Sequence, residues 1–214
     1  NTASVTLRFN AIQAETLSCT VTRTDVTPSC SKTISQIVTV NAIPSVFIQG
    51  RQQVCRGTDT SYATPSAQDQ TYQWSISPFH AYTQSDNSIT VDWGNPNTYT
   101  ITCIATNSLT GCQNTQAGYT VVVSSNPNPS IVGSTSGCTG QTSTYNVTPV
   151  SGTSTYAWSV QGGTFTGSGT SINVTWTSAG SNRVSVTETA GTSCSTTVQL
   201  PVSVSAAPTP SIVG

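Results

Sequence analysis

Thr155-Tyr156-Ala157-Trp158-Ser159-Val160 alternates polar and apolar side chains. The alternation predicts a strand with Tyr156, Trp158 and Val160 on one face. Thr71-Tyr72-Gln73-Trp74-Ser75-Ile76 carries the same pattern. A second matched pair is Ser88-Ile89-Thr90-Val91-Asp92-Trp93 and Ser171-Ile172-Asn173-Val174-Thr175-Trp176. Other alternating runs are Gln141–Val150, Asn182–Glu188 and Ser195–Ser205, and Ser130–Gly133 opens the series. No stretch shows helical periodicity, so the chain reads as all-β.

The matched strands are parts of a longer repeat. Pro129-Ser130-Ile131-Val132-Gly133 returns as Pro210-Ser211-Ile212-Val213-Gly214, a period of roughly 80 residues. A looser copy is Pro44-Ser45-Val46-Phe47-Ile48-Gln49-Gly50. After each marker the same features follow in order: Cys55 or Cys138, Tyr62 or Tyr145, the Tyr-x-Trp strand, the Trp93 or Trp176 strand, and Cys112 or Cys194. Residues 1–43 hold only the second half of this pattern. Ser4–Phe9 matches the Trp93 and Trp176 strands, Cys19 matches Cys103, and Cys30 matches Cys112 and Cys194.

The expected divisions are therefore 1–43, the C-terminal half of a repeat; 44–127 and 128–208, two complete repeats; and 209–214, the first strand of the next. Six or seven short strands per repeat with turn residues between them predict an antiparallel immunoglobulin-like sandwich. Trp74, Trp93, Trp158 and Trp176 stand at apolar-facing positions and are expected in the cores. The half repeat cannot bury its apolar face alone. It is expected to complete its sandwich with strands from an earlier part of the polypeptide or from a neighbouring chain. The joints Val40–Pro44, Asn126–Pro129 and Ala206–Pro210 are short and contain proline, which predicts stiff connections and a rod-like array.

Composition narrows the function. Charged residues are only 6% of the 214, with Lys plus Arg 6 and Asp plus Glu 7. Nothing is basic enough to hold a phosphate backbone, so nucleic acid is not an expected partner. No apolar run approaches the length that spans a bilayer, so membrane insertion is not expected. Seven cysteines without CxxC spacing point to disulfides in an oxidising, extracellular setting.

Candidate chemistry is sparse. The one histidine, His80, lies with Phe79, Tyr82 and Asp86 in a loop of repeat two. That group could stack a sugar, but a variable surface loop is the stronger reading. No nucleophile–base pairing is visible, so no catalytic residue is expected. Asp25, Asp59, Asp69, Asp86 and Asp92 are scattered singly, unlike the converging oxygens that calcium requires. No metal ligand or cofactor is expected.

The order Pro-x-Ile-x-Gly, Cys, Tyr, Tyr-x-Trp, Gly-Gly, Val-x-Trp and late Gly-x-x-Cys resembles the PKD-like immunoglobulin repeats of Bacteroidetes cell-surface proteins. These include gliding-motility adhesins and other type IX-secreted proteins. The resemblance covers the whole chain. Repeat two departs from it where Ser77–Tyr82 replaces the Gly162-Gly163 of repeat three. It implies a non-enzymatic stalk or adhesive segment of a large extracellular protein or filament. The partners it implies are neighbouring repeats of the same polypeptide or fibre, with surface glycans as a second class. The alternative is a carbohydrate-binding or spacer module of a secreted polysaccharide-acting enzyme.

Repeat three holds only Cys138 and Cys194, so their pairing is the simplest, with Cys55–Cys112 equivalent in repeat two. Against it, the first turn and the last hairpin of such a sandwich lie at opposite ends. The alternative pairs are Cys103–Cys112 and Cys19–Cys30. On the first pairing Cys19 and Cys103 are buried free thiols.

Overall fold

The computed structural model describes residues 4–148, 153–191 and 193–212. Among these residues every regular element is a strand. β1 (Ala14–Arg23) and β2 (Cys30–Thr39) form an antiparallel hairpin, in register from Ala14↔Thr39 to Arg23↔Cys30. Ser4–Phe9 forms no strand. The strands it matches in the complete repeats are each flanked by two neighbours, and residues 1–43 supply no counterpart of those neighbours.

Repeat two contains β3 (Gln53–Cys55), β4 (Asp59–Ala63), β5 (Gln70–Ser77), β6 (Thr83–Ser85), β7 (Ser88–Asp92), β8 (Asn97–Asn107) and β9 (Gln113–Ser124). They form one sheet of order β3-β9-β8-β5 and another of order β4-β7-β6. Repeat three contains β10 (Ile131–Val132), β11 (Ser136–Cys138), β12 (Thr142–Val147), β13 (Ser154–Gln161), β14 (Gly163–Ser168), β15 (Ser171–Trp176), β16 (Gly180–Ala190) and β17 (Ser195–Ser205). Its sheets are β11-β17-β16-β13 and β10-β12-β15-β14. β3 and β11 run parallel to the last strand of their repeats, whereas the hairpin ladders β8–β9 and β16–β17 are antiparallel. The chain is thus a tandem of immunoglobulin-like β-sandwiches.

The period-2 pattern has a direct outcome in burial. Along β5, Tyr72, Trp74 and Ile76 are buried and the residues between them exposed. Trp93 and Trp176 are fully enclosed. Each meets a tyrosine edge-on: Tyr62–Trp93 and Tyr145–Trp176 both have ring centroids 6.1 Å apart. The tyrosine hydroxyls donate to backbone carbonyls, Tyr62 to Arg51 O at 2.9 Å and Tyr145 to Ser134 O at 2.8 Å. Such a hydrogen bond lets a phenol lie in an apolar core without an orphaned polar end.

Trp158 is half-buried, unlike Trp74 at the same place in repeat two. Its indole N–H donates to Gly169 O at 2.8 Å. In repeat two the longer loop brings Tyr82 over the strand, where its hydroxyl donates to Trp74 O. Repeat three turns directly from β13 into β14 through Gly162, φ +81°, and has no such cover.

The expected strand Gln141–Val150 is observed as Thr142–Val147, and Val150 lies outside the described residues. The segments β3, β6, β11 and β14 were not anticipated: three are only three residues long, and β14 is rich in Gly, Thr and Ser.

Candidate functional site at the junction of the repeats

The cysteines do not pair within repeats. In place of Cys55–Cys112 and Cys138–Cys194, one disulfide is present, between Cys55 of repeat two and Cys194 of repeat three, with Cα atoms 5.5 Å apart. Strand direction explains this pairing. Cys55 lies opposite Ser124, the last residue of β9, whereas Cys112 immediately precedes the first. Twelve residues at about 3.3 Å each separate those two points by roughly 40 Å. Cys138 lies opposite Ser205 at the end of β17, and Cys194 precedes its start, with the same consequence. Each repeat therefore carries one cysteine at its entry end and one at its exit end.

The alternative pairs are also absent. Cys19 faces Ile34, and Cys30 faces Arg23, four residues along β1, or about 13 Å. Cys103 is fully buried in β8 opposite Gln116. Burial pushes its thiol up from 9.0 to about 11, so it stays protonated and unreactive at neutral pH. Cys19 was expected to be buried but is exposed on the hairpin, since no second sheet covers β1.

Local backbone bonds hold Cys55 at the exit end. Arg56 N–H donates to Ser124 O at 2.9 Å, Gly57 N–H to Trp93 O at 2.8 Å and Thr58 N–H to Cys55 O at 3.3 Å. Gly57 takes φ +76°, which the turn needs and which L side chains resist. The first residues of the joint are tied to the same turn, because Asn126 Nδ2 donates to Arg56 O at 3.1 Å. On the other side, Ser193 takes φ +67° and Ala190 N–H donates to Cys194 O at 2.8 Å, closing the hairpin turn. A cleft of about 620 Å³ lies beside the bond, with Arg51, Val54, Asp59 and Ser193 in its walls.

The other candidates resolve into packing. His80 lies over Trp93, centroids 5.1 Å apart and planes 24° from parallel, and its Nε2 is 2.7 Å from Asp92 O. It is turned inward, away from the exposed Phe79, so the loop does not gather an aromatic patch. Asp69 and Asp86 take positive φ in turns. Among the described residues no group of three His, Cys, Asp or Glu is placed to hold a metal. Glu188, which the sequence reading passed over, is fully buried on β16 and accepts from the Tyr156 hydroxyl at 3.2 Å. A carboxylate at the inward place that Ala105 holds in repeat two is the one signal that could have drawn notice to it.

The profile of the PKD-like domain matches residues 40–122 and 124–204. No match to a curated protein is found. Solved structures of related architecture include the fibronectin(III)-like modules of Clostridium thermocellum CbhA, at 12% identity over 75% of this chain and 95% of that one, TM-score 0.42. Murine CEACAM1b is 10% identical over 75% of this chain and 100% of that one, TM-score 0.38. Domains 4 and 5 of the S-layer protein SbsC are 15% identical over 76% and 98%, TM-score 0.28.

Proposed function

Because the chain belongs to the PKD-like domain family, we propose that it is a non-enzymatic structural segment of an extracellular protein, a stalk in which serial sandwiches are fixed end to end. The disulfide Cys55–Cys194 carries this reading. It joins the exit end of one repeat to the entry end of the next, outside both hydrophobic clusters, so it limits bending at the joint. Disulfides persist in oxidising compartments, which supports an extracellular setting.

The proline joint acts in the same direction. Pro127 and Pro129 each hold φ near −65°, and Asn126 is anchored to Arg56. A chain connected by a short stiff joint and a second covalent strut close by has little freedom to fold back. The burial of Trp74, Trp93 and Trp176 supports a structural role over a glycan-stacking one, since these rings fill cores. A stalk or adhesive filament needs repeats of this kind to project whatever binds at its tip.

Small-angle scattering tests the proposal on the whole chain and on the chain lengthened by one repeat. The maximum dimension should grow by on the order of 40 Å per repeat, the length of a sandwich built from strands of this size. A near-spherical envelope, or a dimension that fails to grow with the added repeat, would end the stalk reading.

A further inference from the structure

The backbone bonds around Cys138 repeat those around Cys55. Thr139 N–H donates to Ser205 O at 3.0 Å, Gly140 N–H to Trp176 O at 2.8 Å and Gln141 N–H to Cys138 O at 3.1 Å. These match the three bonds around Cys55 in donor, acceptor and position. Gly140 has φ +86° where Gly57 has +76°. Both cysteines end a three-residue strand in the same parallel register with the last strand of the repeat. Even the tie to the following joint recurs, with Ala207 N–H donating to Thr139 Oγ1 at 2.9 Å.

Cys112 likewise repeats the setting of Cys194. The residue before it, Gly111, has φ +72°, as Ser193 has +67°. Asn107 N–H donates to Cys112 O at 2.9 Å, the counterpart of Ala190 N–H to Cys194 O. One difference is that the turn of repeat two is a residue longer. Cys112 and Cys138 are both free and half-buried. Neither can reach the other, because one stands at the entry end of repeat two and the other at the exit end of repeat three.

We propose that Cys138 and Cys112 are the open ends of the link seen between Cys55 and Cys194. Cys138 bonds the hairpin-turn cysteine of a repeat of this same type that follows, and Cys112 bonds the first-strand cysteine of one that precedes. The bonded pair itself identifies the partner: each free cysteine occupies the place of a bonded one in the neighbouring repeat. The result is a ladder of disulfides, one per junction, running beside the peptide joints. The scheme also accounts for the other thiols. Cys30 opens β2 at the turn end of its hairpin, opposite Arg23, and Cys19 and Cys103 stand mid-strand on β1 and β8, away from any junction.

Each link forms by thiol–disulfide exchange with a disulfide donor. The Cys138 thiolate attacks the donor, releasing one donor thiol and leaving a mixed disulfide. The facing thiolate then attacks the Cys138 sulfur and releases the second donor thiol. One S–S bond forms in the protein, one breaks in the donor, and the two cysteine protons end on the two released thiols.

The inference rests on the serial reading above, and its test separates the two. The 214-residue chain is compared with a longer chain in which a second copy of residues 134–208 follows Gly214. Both are equilibrated with reduced and oxidised glutathione, alkylated without reduction, digested and mapped by mass. In the shorter chain Cys55 should be linked to Cys194 and Cys138 should be linked to no peptide. In the longer chain Cys138 should be linked to the second copy of Cys194, and its alkylation should fall from near-complete to trace. Serine in place of that second copy should restore the alkylation, while Cys112 remains unlinked throughout. An alkylated Cys138 in the longer chain beside an intact Cys55–Cys194 bond would overturn the proposal, as would loss of the Cys55–Cys194 bond itself. A compact scattering envelope would instead overturn the stalk and leave the linkage result standing.

Discussion

A β-carbon on Gly133 would lie 2.2 Å from Cδ1 of Tyr145. The tyrosine ring lies flat against the glycine, and its hydroxyl passes on to Ser134 O. Gly50 and Tyr62 stand in the same relationship, again at 2.2 Å. In both cases the glycine, Gly50 or Gly133, is therefore the floor on which the core tyrosine rests. That tyrosine in turn meets the edge of Trp176 or Trp93.

Gly133→Ala should destabilise repeat three by about 1–3 kcal/mol, the usual cost of forcing an extra methyl into a packed site. Urea unfolding followed by tryptophan fluorescence would show it as a lower midpoint for repeat three with repeat two unchanged. An unaltered midpoint would mean that the ring moves aside freely and that the contact is incidental.

Reducing the disulfide should free the joint and spare the cores. Cys55 and Cys194 both lie at domain ends, and neither contributes to packing around Trp93 or Trp176. Cys55→Ser should leave the fluorescence of the buried tryptophans unchanged while broadening the distribution of lengths seen by scattering. Collapse of either core on reduction would show that the bond is needed for folding itself.

Much of this was legible in the alternation of residues. Tyr72, Trp74 and Ile76 announce their inward face by spacing alone, and the repeated markers divide the chain without any coordinates. The exit-end strands β3 and β11 were not legible, because three residues carry no period. Those same strands decide where Cys55 and Cys138 lie. Composition shows that cysteines pair, and it takes strand direction to show which ends meet. The role of His80 was hidden for a similar reason: a loop sequence does not reveal that its ring folds back onto Trp93.

His80→Ala should cost repeat two about 1 kcal/mol, in line with one stacked aromatic pair beyond simple burial. The measurement is the same urea midpoint, read for repeat two. If the histidine were only a surface loop residue, the midpoint would not move.

Alkaline conditions should weaken repeat two in a defined window. Burial pushes the Tyr62 phenol up from 10.0 to about 12 and the Cys103 thiol up from 9.0 to about 11. Both groups are neutral when protonated, so the folded state holds protons that the unfolded chain has already released. Stability from these groups is complete below the unfolded values. It is lost as pH rises from 9 towards about 11 for Cys103 and from 10 towards about 12 for Tyr62. Urea midpoints taken at successive pH values would show the decline, and Tyr62→Phe should remove its upper part. A midpoint that stays level to pH 11 would contradict the assignment.

The hairpin β1–β2 should behave differently from every other strand pair in this 214-residue chain. It carries the same inward pattern as β8 and β9, with Leu17 and Val21 on β1 and Ile34 on β2. In repeat two the counterparts of Leu17 and Val21, Ile101 and Ala105, are fully enclosed and that of Ile34, Gln116, is half-buried, whereas here all three are exposed. Backbone hydrogen bonds alone hold two strands only marginally in water, because the ordering entropy is not offset by apolar burial. Amide exchange should therefore be fast throughout residues 14–39 and slow along β8, β9, β16 and β17, although the ladder geometry is alike. Cross-strand hydroxyl pairs such as Ser18–Ser35, 2.8 Å apart, lie on the outer face and are too exposed to change that order. Joining a copy of residues 44–92 ahead of Asn1 should bring the exchange of β1 and β2 down to the level of β8 and β9. If the hairpin is as protected as β8 and β9 without that addition, then residues 1–43 are stable by themselves and do not form half of a sandwich.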